Sequence, residues 1–309
     1  MIASLHPCIR KDLNILCAGR SLTDREKKRL QKARAVILPQ GVTAEVYRVC
    51  RRLVPRVFPN YDLRFGLEGK VGDALLFEYF QVPHPRTLAF GDRESFHKAY
   101  PDPDLPPALL SGYPLVLKGN EGGEGSLVFR IESARDLEEK LDLLRGSTVR
   151  DQGFVLQEFI DHGGRDLRVV ILYDQLFAYW RVQADPFHFR TNQRQGGTID
   201  PGGDSRLKNK AMKAVKLFCR RAGINVAGLD ILFNRKRDPG RPLFLEINYY
   251  FGRKGLGGSL RFYKLFEEAA DRWLASGEPV ENTGFSMLIR PNTYDIATPD
   301  LIRGKQSPD

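Results

Sequence analysis

The sequence predicts an α+β chain with a small α/β unit at its N-terminus, and three observations carry this. Residues 1–80 alternate short apolar runs, LNILCA (13–18) and AVILPQ (35–40), with helix-patterned ones, TDREKKRLQKA (23–33) and TAEVYRVCRRL (43–53), as a βαβ-type unit does. A proline-dense connector, PDPDLPPALLSG (101–112), then separates this region from the rest. Beyond it a strand-rich pattern starts, and two of its runs, VAGLDILF (226–233) and PLFLEIN (242–248), flank a polar segment containing Asp-Pro-Gly, which reads as a hairpin.

Each element has a local reason. Thr23 and Thr43 stand where helix N-caps belong, since their hydroxyls can accept from backbone N–H groups the first turn leaves free. VGDALLFEYF (71–80) is helical in pattern. PLVLK (114–118) and LVFRI (127–131) are strands around a glycine-rich loop, GNEGGEGS (119–126). A helix follows at 133–146, with Ser133 as N-cap and Gly146 as C-cap. FVLQEFI (154–160) and DLRVVILYDQLFAYWRV (166–182) supply three strands, the last two joined near Tyr173-Asp174-Gln175. RLKNKAMKAVKLFCRRAG (206–223) is a helix ending at Gly223. After the 226–248 hairpin comes an amphipathic helix at about 260–275, and a polar tail from Ser276.

Composition bounds the function. The 309 residues carry 48 Lys/Arg against 38 Asp/Glu, a net charge of +10. The surplus is uneven: residues 1–56 hold thirteen Lys/Arg and four acids, and a second basic run spans Arg190 to Arg221. Such a surface suits nucleic acid or an anionic ligand. The charges are not interleaved with aromatic stacking platforms, which favours the anionic ligand and disfavours nucleic acid. No apolar run reaches the ~18–20 residues that cross a bilayer. The first twenty residues lack a continuous apolar core, so no signal peptide is expected. Cys8, Cys17, Cys50 and Cys219 show neither disulfide nor metal spacing, which points to a reducing cytoplasm, with Cys219 a buried thiol. The five histidines do not cluster, and no nucleophilic triad is visible. Gly-x-Gly-x-x-Gly and Gly-x-x-x-x-Gly-Lys-Ser/Thr are both absent.

The residues that carry chemistry begin with the hairpin. Folded about Asp238, it sets Asp230 opposite Glu246, and Asn248 shares the Glu246 face because side chains alternate along a strand. Two carboxylates in an apolar sheet, with no basic residue in either strand, call for a neutralising partner, and a hard divalent cation such as Mg²⁺ is one. The alternative is a protonated or solvent-facing Glu246. The glycine-rich loop can bring backbone N–H groups onto an anion, and Lys118 before it would favour a phosphate. Equally, the loop can be a surface turn and Lys118 can reach out to water. Asp166 and Arg168 share a strand face, either as an exposed ion pair or with Arg168 aimed at an anion. FRTNQRQGG (189–197) is donor-rich, as an anion-binding loop or a plain surface loop would be.

In this order, Lys118 with GNEGGEGS, VLQEFI (155–160), RDLRVVIL (165–172), FRTNQRQGG, VAGLDILF and FLEIN (244–248), the chain resembles the ATP-grasp superfamily, most closely its RimK-like carboxylate–amine ligases. The resemblance spans about residues 70–275. It implies two α+β subdomains that clasp ATP behind a small N-terminal α/β domain. The expected partition is residues 1–100 for that domain, 101–165 for the small subdomain with its glycine-rich lid, 166–280 for the large one with the Mg/ATP site, and 281–309 for a polar tail. Carried over, it implies that Lys70 and Lys118 contact ATP phosphates under a lid containing Gly122, Gly123 and Gly125. Gln157, Glu158, Phe159 and Ile160 would be the adenine-reading hinge. Arg168, Arg190 and Asn192 would face the γ-phosphate and substrate carboxylate. Asp230, Glu246 and Asn248 would hold one or two Mg²⁺ ions, for which Mn²⁺ can substitute. The implied reaction joins a small-molecule or peptide carboxylate to an amine through an acyl phosphate. Phosphoryl transfer to a hydroxyl, and nucleotide binding without catalysis, are the alternatives. Two departures stand out: Gly119 follows Lys118 where the family often has proline, and Asn248-Tyr249-Tyr250-Phe251-Gly252 replaces the family's common Asn-x-Ser-Pro-Gly.

Overall fold

The computed structural model describes residues 1–101, 112–120, 127–145, 153–183 and 197–277. The 102–111 connector, Gly146, the glycines of the lid, Arg190, Asn192 and the C-terminal tail lie outside the described residues. The chain forms two compact units. One combines Met1–Gly66 with the segment that starts at His162, and the other is Leu67–Asp161.

The first unit opens with β1 (Ile2–Ser4), β2 (Leu13–Asn14), α1 (Asp24–Leu30), β3 (Ala35–Ile37), α2 (Ala44–Leu53), β4 (Val57–Phe58) and α3 (Asp62–Gly66). The strands form one parallel sheet in the order β2-β1-β3-β4. Thr23 caps α1 with a reciprocal bond to Glu26, and Thr43 caps α2, as the sequence predicts. β1, β4 and α3 escape a sequence reading because each is five residues or shorter; too few side chains repeat to set a period.

The second unit holds α4 (Gly69–Tyr79), β5 (Thr87–Phe90), α5 (Arg93–Ala99), β6 (Leu115–Gly119), β7 (Val128–Ile131), α6 (Ala134–Arg145) and β8 (Phe154–Glu158). Its antiparallel sheet runs β5-β8-β6-β7. Phe90, Phe96, Leu115, Leu117, Ile131, Leu137, Leu141, Phe154 and Leu156 form its core.

The chain then returns to the first unit with β9 (Arg165–Leu172), β10 (Gln175–Val182), β11 (Thr198–Asp200), α7 (Ser205–Ala222), β12 (Val226–Leu232), β13 (Leu243–Asn248) and α8 (Ser259–Ser276). The strands form a second antiparallel sheet, β11-β10-β9-β12-β13. α7 ends at Gly223, whose φ of +68° suits a residue without Cβ. α7 packs on this sheet, with Phe218 against Phe244 at 5.3 Å between centroids. α8 shares a core with both sheets. Phe262, Phe266 and Trp273 meet Phe58 and Ile37 of the parallel sheet and Val170, Leu172 and Val226 of the antiparallel one. Cys219 is fully buried, and burial pushes its thiol pKa up, as an inert core thiol requires.

Phe266 is the centre of this shared core, in ring contact with Phe58 at 5.4 Å and Phe262 at 5.8 Å. Replacing Phe266 with Ala should lower unfolding stability by about 3–5 kcal/mol, the usual cost of removing a buried aromatic side chain. Urea titration of both proteins measures it, and the two sheets should lose cooperativity together.

Candidate active site

On the antiparallel sheet of the first unit, Asp230 pairs with Glu246 across β12–β13, and Gly228 pairs with Asn248. A bulge follows, because the next pair is Ile231 with Phe244, which leaves Leu245 as the extra residue. Asp230, Glu246 and Asn248 therefore share a face, as the hairpin register predicts.

The charge balance differs from the expectation. Basic residues do reach Asp230, from neighbouring strands rather than from the hairpin. Arg168 of β9 lies opposite Asp230, and its Nε and Nη2 both donate to the Asp230 carboxylate, Nη2 at 2.9 Å. Arg181 of β10 approaches Asp230 at 2.9 Å and clasps Asp166 at 2.6 Å with both Nε and Nη2. Two aspartates and two arginines thus interlock in the sheet, each 6 % exposed or less except Arg181 at 13 % of its side chain. Of the two readings for Asp166 and Arg168, the exposed ion pair within the strand is not what forms: Arg168 bonds Asp230 and Asp166 accepts from Arg181, both across strands. Burial alone would raise the Asp230 pKa, but the Arg168 and Arg181 charges outweigh it and hold the carboxyl below its ordinary value. For Arg181, burial works downward, and Asp166 and Asp230 carry its pKa well above the ordinary value.

Gly228 makes room for this arrangement. A Cβ there would lie 3.0 Å from Arg168 Cδ and 3.2 Å from Nη1. The sequence could have located Arg181, which its strand pattern left unassigned: a β9–β10 hairpin closing at Tyr173-Asp174 sets Arg181 opposite Asp166.

The three oxygen donors differ in how free they are. Asn248 donates its Nδ2 to Asp230 at 3.2 Å, which leaves Oδ1 for another partner. Glu246 is half-buried and has no hydrogen-bond or ionic partner among the described residues. Asp230 already accepts from both arginines. The set fits a hard cation held mainly by Glu246 and Asn248 Oδ1, with Asp230 shared and the rest of the shell from water or phosphate oxygen. No group of three or more His, Cys, Asp or Glu residues gathers for a metal among the described residues.

The second unit carries the other predicted residues. Lys118 is the next-to-last residue of β6 and is 8 % exposed, so it does not reach out to water. Its Nζ donates to Gln157 Oε1 at 2.7 Å, and Gln157 Nε2 donates to Thr87 Oγ1 at 2.7 Å. This chain orients the ammonium through a neutral amide. Asn120, which the sequence reading passed over, ties the base of the glycine-rich loop to α4: its Oδ1 accepts from Val71 N at 2.9 Å and its carbonyl from Lys70 N at 3.3 Å. Gly69 permits that approach, with a φ of +73° and a Cβ position only 2.4 Å from Asn120 Oδ1. Glu158 is bonded to Arg86, Phe159 lies under the Arg130 guanidinium at 4.7 Å, and Ile160 is buried.

The model of the RimK-like ATP-grasp domain matches residues 104–260. The chain belongs to the RimK-like ATP-grasp family. It is 34 % identical over 158 residues to a probable alpha-L-glutamate ligase of Azotobacter vinelandii and 32 % identical over 164 residues to one of Pseudomonas fluorescens. The matches cover 50 % and 51 % of this chain and 48 % and 50 % of those relatives, so they span about half their length. Among solved structures, a RimK domain protein of Sphaerobacter thermophilus superposes with a TM-score of 0.56 at 16 % identity, covering 87 % of this chain and 98 % of that one. The D-alanine–D-alanine ligase of Bacillus anthracis superposes with a TM-score of 0.58 at 15 % identity, covering 86 % and 88 %. The ATP-grasp fold implied by the sequence is therefore the fold of this family member. No helix among the described residues is long and apolar enough to cross a membrane.

The ion network generates a prediction. Arg181→Met removes the guanidinium that bonds both Asp166 and Asp230 and should cost about 3–5 kcal/mol. Because Asp230 is depressed in the folded state, its contribution is complete above the ordinary carboxylate pKa and is lost as pH falls through and below that range. Denaturant titrations at neutral pH and at successively lower pH should show that acid loss, and it should shrink in Arg168→Met.

Proposed function

We propose that this protein is an ATP- and Mg²⁺-dependent ligase that joins a carboxylate to an amine. The observation that carries the reading is the Glu246 carboxylate, without a partner among the described residues, opposite Asp230 and with Asn248 on the same face, in a chain of the RimK-like ATP-grasp family. Glu246, Asn248 and Asp230 would hold the Mg²⁺, which screens the negative charge of the triphosphate and of the phosphoryl group in transfer. Lys118, fixed by Gln157, would neutralise phosphate oxygen, with Lys70 and the glycine-rich loop bound to it through Asn120. Gln157 is then a positioning residue for Lys118, and Glu158, Phe159 and Ile160 are left to face adenine. Arg168 would orient the acid; Arg190 and Asn192 complete the proposed acid-side set.

The steps follow. A carboxylate oxygen of the acid attacks the γ-phosphorus, the bond to the β-phosphate oxygen breaks, and ADP leaves. The amine nitrogen adds to the acyl carbon, inorganic phosphate departs, and the nitrogen loses a proton to phosphate or solvent. No side-chain nucleophile is needed, which agrees with the absence of a triad. The relatives named as probable alpha-L-glutamate ligases support L-glutamate as the first substrate to try. Release of free phosphate with amide formation separates this chemistry from phosphoryl transfer to a hydroxyl.

Glu246→Gln keeps the shape and removes the charge, so Mg-ATP turnover should drop at least ~100-fold, the scale for losing a charge-stabilising group. Phosphate release against a panel of amino acids, repeated with the variant, measures it; near wild-type turnover in Glu246→Gln would remove the metal assignment. Lys118→Ala should weaken ATP by about 1.5–3 kcal/mol, the scale of a hydrogen bond to a charged group, and adenosine much less. Calorimetric titration with both ligands tests this, and equal losses would take Lys118 away from the phosphates.

A further inference from the structure

The parallel sheet of the first unit carries a feature that the ligase reading does not use. All its strands run the same way, so the segments after β1, β3 and β4 emerge at one carboxyl edge. That edge is where open parallel sheets place ligands. Two arginines belong to it. Arg64, in α3 just beyond β4, lies over the rings of Tyr61 at 4.9 Å and Phe65 at 4.8 Å. Its Nη1 donates to the backbone carbonyl of Gln40, the residue three beyond the end of β3. Arg253 lies over Phe262 at 4.8 Å and Tyr263 at 4.6 Å and donates to the Tyr263 hydroxyl at 2.7 Å. Tyr263 in turn packs edge-on against His6, two residues beyond β1.

Both guanidiniums are half-buried, and neither has a carboxylate partner among the described residues. Arg51, Arg168 and Arg181 are ion-paired by contrast, while Arg56 shares the unpaired pattern, stacked on Trp273 and donating to backbone carbonyls. Aromatic stacking and one neutral acceptor fix the plane of each fork without neutralising it. A rigid fork of this kind matches a carboxylate in two-point contact.

The pair is tied to the proposed metal site through the segment after Asn248. Gln40 Nε2 donates to the Tyr249 carbonyl at 3.4 Å, and the Tyr249 ring meets Tyr61 at 5.8 Å. Phe251 meets Phe262, the ring beneath Arg253, at 5.9 Å. Tyr249 to Gly252 is the stretch in which the sequence departs from the common loop of the family it resembles, and Arg253 follows it. Tyr250 within it is 66 % exposed.

We propose that Arg64 and Arg253 form a cationic subsite that anchors a substrate carboxylate not consumed in the reaction. The substrate class is then an amino acid or dicarboxylate that keeps one free carboxylate while the other end reacts. This rests on the ligase reading. The anchored group is either the α-carboxylate or the side-chain carboxylate of a glutamate-like molecule, and the two are distinguished by amides.

The test titrates L-glutamate, L-glutamine and L-glutamate α-amide into protein saturated with Mg²⁺ and a non-hydrolysable ATP analogue, and records phosphate release with ATP in parallel. Wild type should bind L-glutamate at least ~10-fold tighter than one of the two amides, the scale of a charged pair lost to a neutral group. Arg64→Gln and Arg253→Gln should each lose about that factor for L-glutamate, and the preference over that amide should collapse. Arg64→Lys should keep part of it. Affinity for the nucleotide analogue should not change, and it certifies that each variant is folded. The subsite is overturned if wild type binds all three alike or binds none, or if both glutamine variants bind L-glutamate as wild type does. Phosphate release that persists while the variants show no effect removes the subsite and leaves the ligase. The expected binding pattern without phosphate release from any of the three removes the ligase reading and leaves the subsite.

Discussion

The interaction on which the first unit depends is the interlock of Asp166, Arg181, Asp230 and Arg168 across three adjacent strands. Bringing four formal charges out of water is costly, and the cost is recovered only when each charge meets its opposite with good hydrogen-bond geometry. Here every member does so: Arg181 bridges both aspartates, and Arg168 closes on Asp230. The consequence is a constraint on register. A one-residue slip of β9 against β12 would turn Arg168 into the apolar layer beside α7 and leave Asp230 alone on its face. The apolar residues of these strands could tolerate such a slip far better than the ions can. The charges therefore act as register pins for β9, β10 and β12.

That constraint passes outward to the chemistry. With β12 pinned, the hairpin to β13 has its Asp230–Glu246 pair fixed, and the bulge at Leu245 lies beyond it. Glu246 and Asn248 are consequently presented on the charged face, while Phe244 turns to Phe218 of α7. Asp230 thus has a structural partner on one side and two ligand-type side chains on the other. Asn248 reads the same carboxylate with its Nδ2, which sets the direction of Oδ1. The second unit uses a neutral amide in a similar way, where Gln157, bonded to Thr87, accepts from Lys118.

What the sequence disclosed follows from these physics. The hairpin, the long strands β9 and β10, the helices α7 and α8, and the Thr23 and Thr43 caps were legible, because each repeats a period long enough to read or has a capping residue with one local job. The Asp230–Glu246 pairing was legible because a hairpin converts sequence symmetry into spatial register. The partners of Asp230 were not, since a charge balance taken over two strands omits what a third and fourth bring. Arg181 was recoverable by applying the hairpin rule once more, to β9 and β10. Asn120 and Gly228 gave no sequence signal: one acts through a backbone contact fifty residues away, and the other through the absence of a side chain. β1, β4, β5 and β11 were hidden by length, their strand character coming from the neighbours with which they pair.

The two arginines at the carboxyl edge of the parallel sheet belong to a different level of the design. The family model spans residues 104–260, so Arg253 lies within it, while Arg64 and Gln40 lie outside. Triphosphate and cation impose the same demands on any protein that handles them, and hard oxygen donors with a positioned ammonium meet those demands. The acid and the amine impose none in common. Residues that read them can change without touching the phosphate chemistry, provided that they sit on segments the ion network does not pin. The Tyr249–Arg253 stretch begins one residue past Asn248, where pairing with β12 ends; its rings meet Tyr61 beside the parallel sheet and Phe262 of α8, and Phe251 also covers Gly228 of the antiparallel sheet. The aromatic loop here sets Phe251 against Phe262, one of the α8 rings beneath Arg253, and gives Gln40 a carbonyl to hold. On the proposed subsite, the departure from the family's common loop would alter what is recognised while leaving the β12–β13 pairing as it is.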